Sequence, residues 1–487
     1  MRARGPRLSV VRPQPAVSLG EAVAYRSALP IWTPTAALLA TAALVGVLAG
    51  IDPKLAGAAV IGLGFVAIVF TDMTLGLCIF AVATFLDVLP FGGAAVTFAK
   101  AAGFLLVVAW FLSQTEGHET RGELFTMHPV FTYVLVAFIA WVAASMLWAE
   151  DPSAAFTAMY RYALNMVLFV IVFAAVRTER AVTWLAIAFL IGALVSALFG
   201  LLSPQEVSAD EISRLGGAGN DPNELAALLV TGIVLAAAFV AASNPPLLRL
   251  LAIVVIFFCA AGVLLSFSRT GLVALGVALI GSVVFGGRWR VAAAILLLIL
   301  AVGMTTYITS VAGPQARERV TKLDGGTGRE DIWAVGFRMI RDSPTNGIGA
   351  GNFPISSVHY LLEPGAIQRA EFIVDTPKVA HNMFIGIWAE LGLVGLTLFL
   401  IVIGFSISCA ARAAWVFQRL GNERMELLSR AFAVTQVAYL SAGLFLSQEF
   451  SKQLWLLLAV GPALLAIARE AEHQANDEGD VLAELAK

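Results

Sequence analysis

Ile253-Val254-Val255-Ile256-Phe257-Phe258-Cys259-Ala260-Ala261-Gly262-Val263-Leu264-Leu265 carries no charge and no proline. Runs of the same kind, such as Val291–Val302, recur along most of the chain. Inside a bilayer no water is present to bond backbone amides and carbonyls, so only helices and closed barrels can cross. Barrel strands would be short and alternate apolar with polar residues. These runs are long and unbroken, and they predict an all-α fold, a polytopic transmembrane helical bundle.

Composition agrees. Of 487 residues 59% are hydrophobic and 13% charged, with a mean hydropathy of +0.86, whereas soluble domains carry about 25% charged residues. Apolar segments fall near 32–50, 54–71, 73–90, 96–113, 128–149, 157–177, 181–202, 222–243, 247–267, 269–286, 289–311, 384–408, 428–447 and 453–469. A crossing needs about twenty residues, so these segments predict about 12–14 spans, with one or both of the second and third short or re-entrant. A net charge of −2 and a pI near 6.2 give no reason to expect nucleic acid. Cys78, Cys259 and Cys409 all lie in apolar runs and read as small buried hydrophobes rather than a disulfide framework.

Residues 1–28 hold Arg2, Arg4, Arg7, Arg12 and Arg26. They read as a basic cytoplasmic tail before an uncleaved first helix, because a cleaved signal would have a shorter basic region. With the N-terminus inside, 17 of the 31 Lys and Arg fall on inner segments, against six on outer segments apart from one long loop. Long loops translocate largely regardless of charge. The expectation is a membrane protein with both termini cytoplasmic. Transmembrane helices are expected over 29–311 and 384–469, a large outward-facing loop over 312–383, and a cytoplasmic tail over 470–487.

The long loop is not a linker. It mixes aromatic with charged residues, and Asp331–Arg341 places Ile332, Val335 and Met339, with Gly336 and Ile340, at helical spacing. Asp342-Ser343-Pro344 should end that helix. Gly347-Ile348-Gly349-Ala350-Gly351-Asn352-Phe353 lacks the strand and helix of a dinucleotide site and reads as a turn.

Several chemistries are missing. No Walker-type lysine is present, so ATP-driven transport is not expected. No Asp-x-Asp pair occurs, and the five histidines, His118, His128, His359, His381 and His473, form no metal-ligand spacing. Catalysis would therefore run on cations, hydrogen bonds and acid–base groups, with no metal and no cofactor. Candidates stand at outer helix ends: Arg161, Arg214, Arg269 in Ser268-Arg269-Thr270-Gly271, and Arg329 at the start of the loop helix. A guanidinium fork matches phosphate oxygens at any working pH, although a single arginine at a helix end can equally be snorkelling. His381, followed by Asn382, stands where the polar loop meets the next apolar run, which suits proton transfer near neutrality. Glu390, nine residues on, falls on the opposite helix face. It is expected to pack against another helix, with Gly392 and Gly395 allowing close approach, and to have no catalytic role.

From about 220 to 395 these motifs, in order, resemble the O-antigen ligase and O-antigen polymerase superfamily of bacterial membrane glycosyltransferases. The resemblance rests on Asn220-Asp221-Pro222-Asn223, Ser268-Arg269-Thr270-Gly271, Gly328-Arg329-x-x-Ile332-Trp333, and Ser343-Pro344 with the glycine-rich turn. It is completed by His381-Asn382-x-Phe384 with Glu390-x-Gly392-x-x-Gly395. It implies inverting, metal-independent transfer of a glycan from an undecaprenyl diphosphate-linked donor to a lipid or glycan acceptor at the periplasmic face. His381 and Arg269 would be catalytic, and Arg161, Arg214, Arg329 and Asn382 would bind substrate. A repeat-unit polymerase is the alternative within the superfamily. A transporter of lipid-linked glycans would instead show inverted repeats and midplane ionisable residues, and a silent assembly partner would have no need of both His381 and Arg269.

Overall fold

The computed structural model describes residues 42–43, 46–85, 98–113, 123–202, 221–242, 244–311, 329–361 and 378–485. The chain forms two compact units, Met1–Gly64 and Phe65–Lys487. Among the described residues of the first unit, helix α1 (Pro53–Thr71) begins; everything below concerns the second. Its helices are α2 (Met73–Phe85), α3 (Phe98–Ser113), α4 (Glu123–Met127), α5 (Pro129–Ala144), α6 (Pro152–Ala175), α7 (Glu179–Leu202) and α8 (Pro222–Ala241). They continue as α9 (Pro246–Leu265), α10 (Arg269–Phe285), α11 (Arg290–Thr306), α12 (Arg329–Asp342), α13 (Phe353–Leu361), α14 (Met383–Arg419), α15 (Glu423–Ala442) and α16 (Lys452–Leu485). The described residues include no strand.

Among the described residues seven helices are long and apolar enough to cross a membrane, or up to eight when α10 and α11, bent by 117°, are taken as one broken span. Three shorter apolar helices accompany them near the start of the chain. Each apolar segment expected from 54–71 onward is a helix; the expected first span, 32–50, lies mostly outside the described residues. The protein is a polytopic helical bundle.

The caps show why the helices begin where they do. The Asp151 carboxylate accepts from the amides of Ser153 and Ala154, Asp221 from Asn223, Ser268 Oγ from Gly271, and Asn382 Oδ1 from Phe384 and Ile385. Proline follows Asp151 and Asp221 at the first helical position, where its missing N–H is not needed. These four starts belong to α6, α8, α10 and α14. Ser268 bonds to Asn223, Met383 and Asn165 of α6 bond to the α15–α16 connector, and Asp221 acts on the charge of His381, so all four starts lie at one end of the bundle with that connector. The other end is basic and cross-linked: Arg288 pairs with Glu423 at 2.8 Å, Arg419 with Glu472 at 2.6 Å, and Arg430 with Glu426 at 3.0 Å.

Between the ends, α14, α15 and α16 pack around fully buried Trp455 and Phe399. Pro462 lies inside α16 and cannot donate to the Leu458 carbonyl one turn back. Ser406 Oγ from α14 donates to that carbonyl at 2.5 Å, and Gln436 Nε2 from α15 donates to the Leu457 carbonyl at 2.8 Å. A membrane helix tolerates proline when neighbours re-satisfy the freed group in this way.

Candidate active site

The site is organised by a break in α14. Gly392 adopts φ 66°, ψ −170°, so the helical ladder fails there. The groups it frees are taken up by the segment 344–349 and by α5. Ile348 and Gly349 donate to the carbonyls of Ala389 and Glu390, both at 2.9 Å, while Leu393 donates to Pro344 O at 2.9 Å. Trp141 Nε1 donates to Leu391 O at 2.8 Å. A Cβ on Gly392 would stand 2.0 Å from Thr345 O, so only glycine fits.

Glu390 completes the junction. Its Oε2 accepts from Gly351 N at 2.7 Å and its Oε1 from Phe353 N at 3.1 Å, closing the N-terminus of α13. This corrects the expected packing of Glu390 against another span: its partner is the backbone of the long loop. Likewise Gly392 permits a helix break and close approach of the loop, rather than close approach of two helices. The glycine-rich turn is therefore the piece that seals the break. It is also fastened to the α5–α6 corner, where Asp151 N donates to Asn352 Oδ1 at 2.7 Å and Ser356 Oγ donates to Glu150 at 2.7 Å.

The anticipated stripe on α12 is buried: Ile332, Val335, Met339 and Ile340 form a small second core with Phe353, Ala380, Ile385 and Ala389. Gly336 brings α12 against α14, where a Cβ would lie 2.7 Å from Ile385 Cγ2. That packing sets Arg329, the first residue of α12, beside the start of α14.

His381 immediately precedes the cap of α14 and has φ 46°, a left-handed conformation uncommon for a non-glycine residue. It is held there by Asn382, whose Oδ1 accepts from two amides of α14, both at 3.0 Å. Met383 N donates to Gly443 O at 2.8 Å and Leu446 O at 3.0 Å, tying this point to the α15–α16 connector. Burial pushes the His381 imidazole below its ordinary value of 6.5; the charges of Arg329 and Lys378 act in the same direction and Asp221 opposes them. The Arg329 guanidinium is itself lowered, first by burial and then by Arg269, with Asp221 again opposing. His381, Arg329, Arg269, Asp221 and Lys378 thus share one electrostatic neighbourhood. Arg269 is set beside the start of α8, because Ser268 Oγ donates to Asn223 Oδ1 at 2.8 Å. Gly271 lets the two helices close up, its Cβ position being 2.5 Å from Ala226 Cβ.

Arg161 belongs to an adjoining group. Its guanidinium lies 3.9 Å over the Phe450 ring, and Asn165 Nδ2 donates to Phe450 O at 3.3 Å. Burial raises the neighbouring Glu449 carboxyl to about 7, with Arg161 pulling it down and Glu224 pushing it up. Arg214 lies outside the described residues. Sequence reasoning missed Asp221, Glu224, Lys378 and Glu449. Asp221 was visible only within the helix-start motif Asn220-Asp221-Pro222-Asn223, and a lone carboxylate such as Glu224 or Glu449 carries no pattern. Among the described residues no three of His, Cys, Asp and Glu converge as a metal site would need.

The described residues thus form a multi-pass helical membrane protein with a cluster of cationic side chains and a histidine at one end. Residues 251–400, rather less than a third of the chain, are similar to the family model described as O-antigen ligase. No curated protein matches the chain. Among solved structures, it is similar to a chain in "Structural coordination of polymerization and crosslinking by a peptidoglycan synthase complex". The two share 17% identity over 70% of this chain and 97% of that one, at a TM-score of 0.35, a likeness too loose to carry functional meaning.

Proposed function

We propose that the protein transfers a glycan from an undecaprenyl diphosphate carrier to a hydroxyl of a lipid or glycan acceptor. The observation that carries this reading is the shared neighbourhood of His381, Arg329, Arg269 and Asp221 at one end of the bundle. Burial and nearby cations favour the neutral imidazole, which can accept a proton. The acceptor O–H gives its proton to His381 as its oxygen forms a new bond to the anomeric carbon. The bond from that carbon to the phosphate oxygen breaks, and the diphosphate leaves with the electron pair. A single displacement of this kind inverts the anomeric centre. Arg269, Arg329 and Arg161, together with Arg214, stabilise the charge that grows on the leaving diphosphate. Asn382 spends its oxygen on the cap of α14, and in this scheme it serves substrate by holding His381 at the rim. No Asp-x-Asp pair is present, in keeping with a metal-independent route.

The orientation that suits this chemistry puts the site on the periplasmic face and the basic end, with both termini, in the cytoplasm of an inner-membrane protein. Ligase and polymerase differ in the acceptor. Deletion of the gene, followed by analysis of lipid-linked glycans, separates them. Carrier-linked polymer accumulates if a ligase is lost, and single repeat units accumulate if a polymerase is lost. An unchanged glycan profile contradicts both.

A further inference from the structure

Among the described residues, two oxygen atoms at the site end accept from no group. The α15–α16 connector carries Gln448, 4% exposed, and beside it the half-buried Glu449. Gln448 Oε1 and Glu449 Oε2 are both sealed from solvent and receive no hydrogen bond among the described residues. Buried acceptors left without a donor are rare and costly in folded proteins. Two on successive residues of a functional end call for a bound group that donates.

The surroundings fix what that group carries besides donors. The connector is held rigidly: Trp455 Nε1 donates to Glu449 O at 2.9 Å, and Asn165 Nδ2 to Phe450 O at 3.3 Å. The Arg161 guanidinium rests on the Phe450 ring, close enough for its charge to act on Glu449. A guanidinium fork suits phosphate oxygens, while orphan carbonyl and carboxylate oxygens suit hydroxyl groups. A glycan diphosphate offers both on adjacent groups; an acceptor hydroxyl alone does not. Resting on the transfer reading above, we infer that Gln448 and Glu449 bind hydroxyl groups of the donor's first sugar, next to a phosphate held by Arg161.

The test uses purified full-length protein and two probes, undecaprenyl diphosphate and the same lipid carrying one N-acetylglucosamine. Wild-type protein should bind the sugar-bearing probe more tightly. Gln448→Leu and Glu449→Leu should each weaken that binding about tenfold, the worth of a lost hydrogen bond or two, and leave the bare lipid unaffected. Neither should lower the melting temperature, because each removes an unsatisfied buried oxygen. Glu449→Gln, which keeps an acceptor oxygen, should retain part of the sugar preference. Variants that keep the full preference, or that lose both probes equally, overturn the inference, as does a wild-type protein with no preference for the sugar. Wild-type protein that binds neither probe overturns the transfer reading as well.

Discussion

At His381 a left-handed backbone, a capping asparagine and the Met383 N–H, shared between two carbonyls of the α15–α16 connector, combine to present an imidazole at the start of α14. Its environment gives the pH dependence a definite sign. The folded-state value is depressed below 6.5, so the neutral base is complete at neutrality, and transfer is lost only as pH falls below the ordinary histidine range. Arg329→Gln removes a cation that depresses the imidazole, so the acid limb of kcat/KM should move to higher pH. Asp221→Asn removes the opposing carboxylate while keeping the cap, and should move the limb to lower pH. Matched pH–rate profiles of the two variants check this, and limbs that stay in place would detach His381 from both charges. His381 and the arginines were legible in the sequence as charges at the edges of apolar runs. Asp221, Glu224 and Glu449 were not, because their significance comes from elements brought together by folding, such as the α8 start meeting α12 and the α15–α16 connector meeting α6.

Among the elements, α14 and the long loop are built as one joint. The sequence already contained the stripe Ile332, Val335 and Met339 on α12, which is buried as its spacing requires. The break at Gly392 escaped sequence reasoning, since a glycine in an apolar run looks the same whether it allows helix packing or ends a ladder. The assignment of Glu390 to another span failed for a related reason: helical geometry gives the direction of a side chain, not which distant backbone will meet it. Gly392→Ala forces a Cβ toward Thr345 O and a positive φ on a non-glycine residue. It should cost at least about 2 kcal/mol of stability. Glu390→Gln keeps the shape and one acceptor oxygen but sets an NH2 group against the other backbone amide, so one of the two bonds is lost, with an expected cost of about 2 kcal/mol. Thermal unfolding in detergent would measure both, and an Ala variant as stable as wild type would mean that the break is not held by the loop.

For the whole molecule, the hydropathy pattern foretold the helical bundle from 54 onward, because crossing a bilayer leaves the backbone so few options. It did not foretell the 117° bend between α10 and α11, since two apolar runs separated by a few residues read the same whether straight or folded back. The excess of Lys and Arg on one set of connections implies a topology that labelling can check. Cysteines introduced at 315 and 368 should react with an impermeant thiol reagent in intact cells or spheroplasts, and one at 422 should not; the reverse pattern would invert the proposed site. The most direct measurement is transfer by purified protein reconstituted in liposomes with an undecaprenyl diphosphate-linked glycan and an acceptor. New glycosidic bonds should form with wild-type protein and none with a His381→Ala variant that folds and still binds the donor. Glycan movement without bond formation, or His381→Ala transfer at the wild-type rate across the pH profile, would contradict the account.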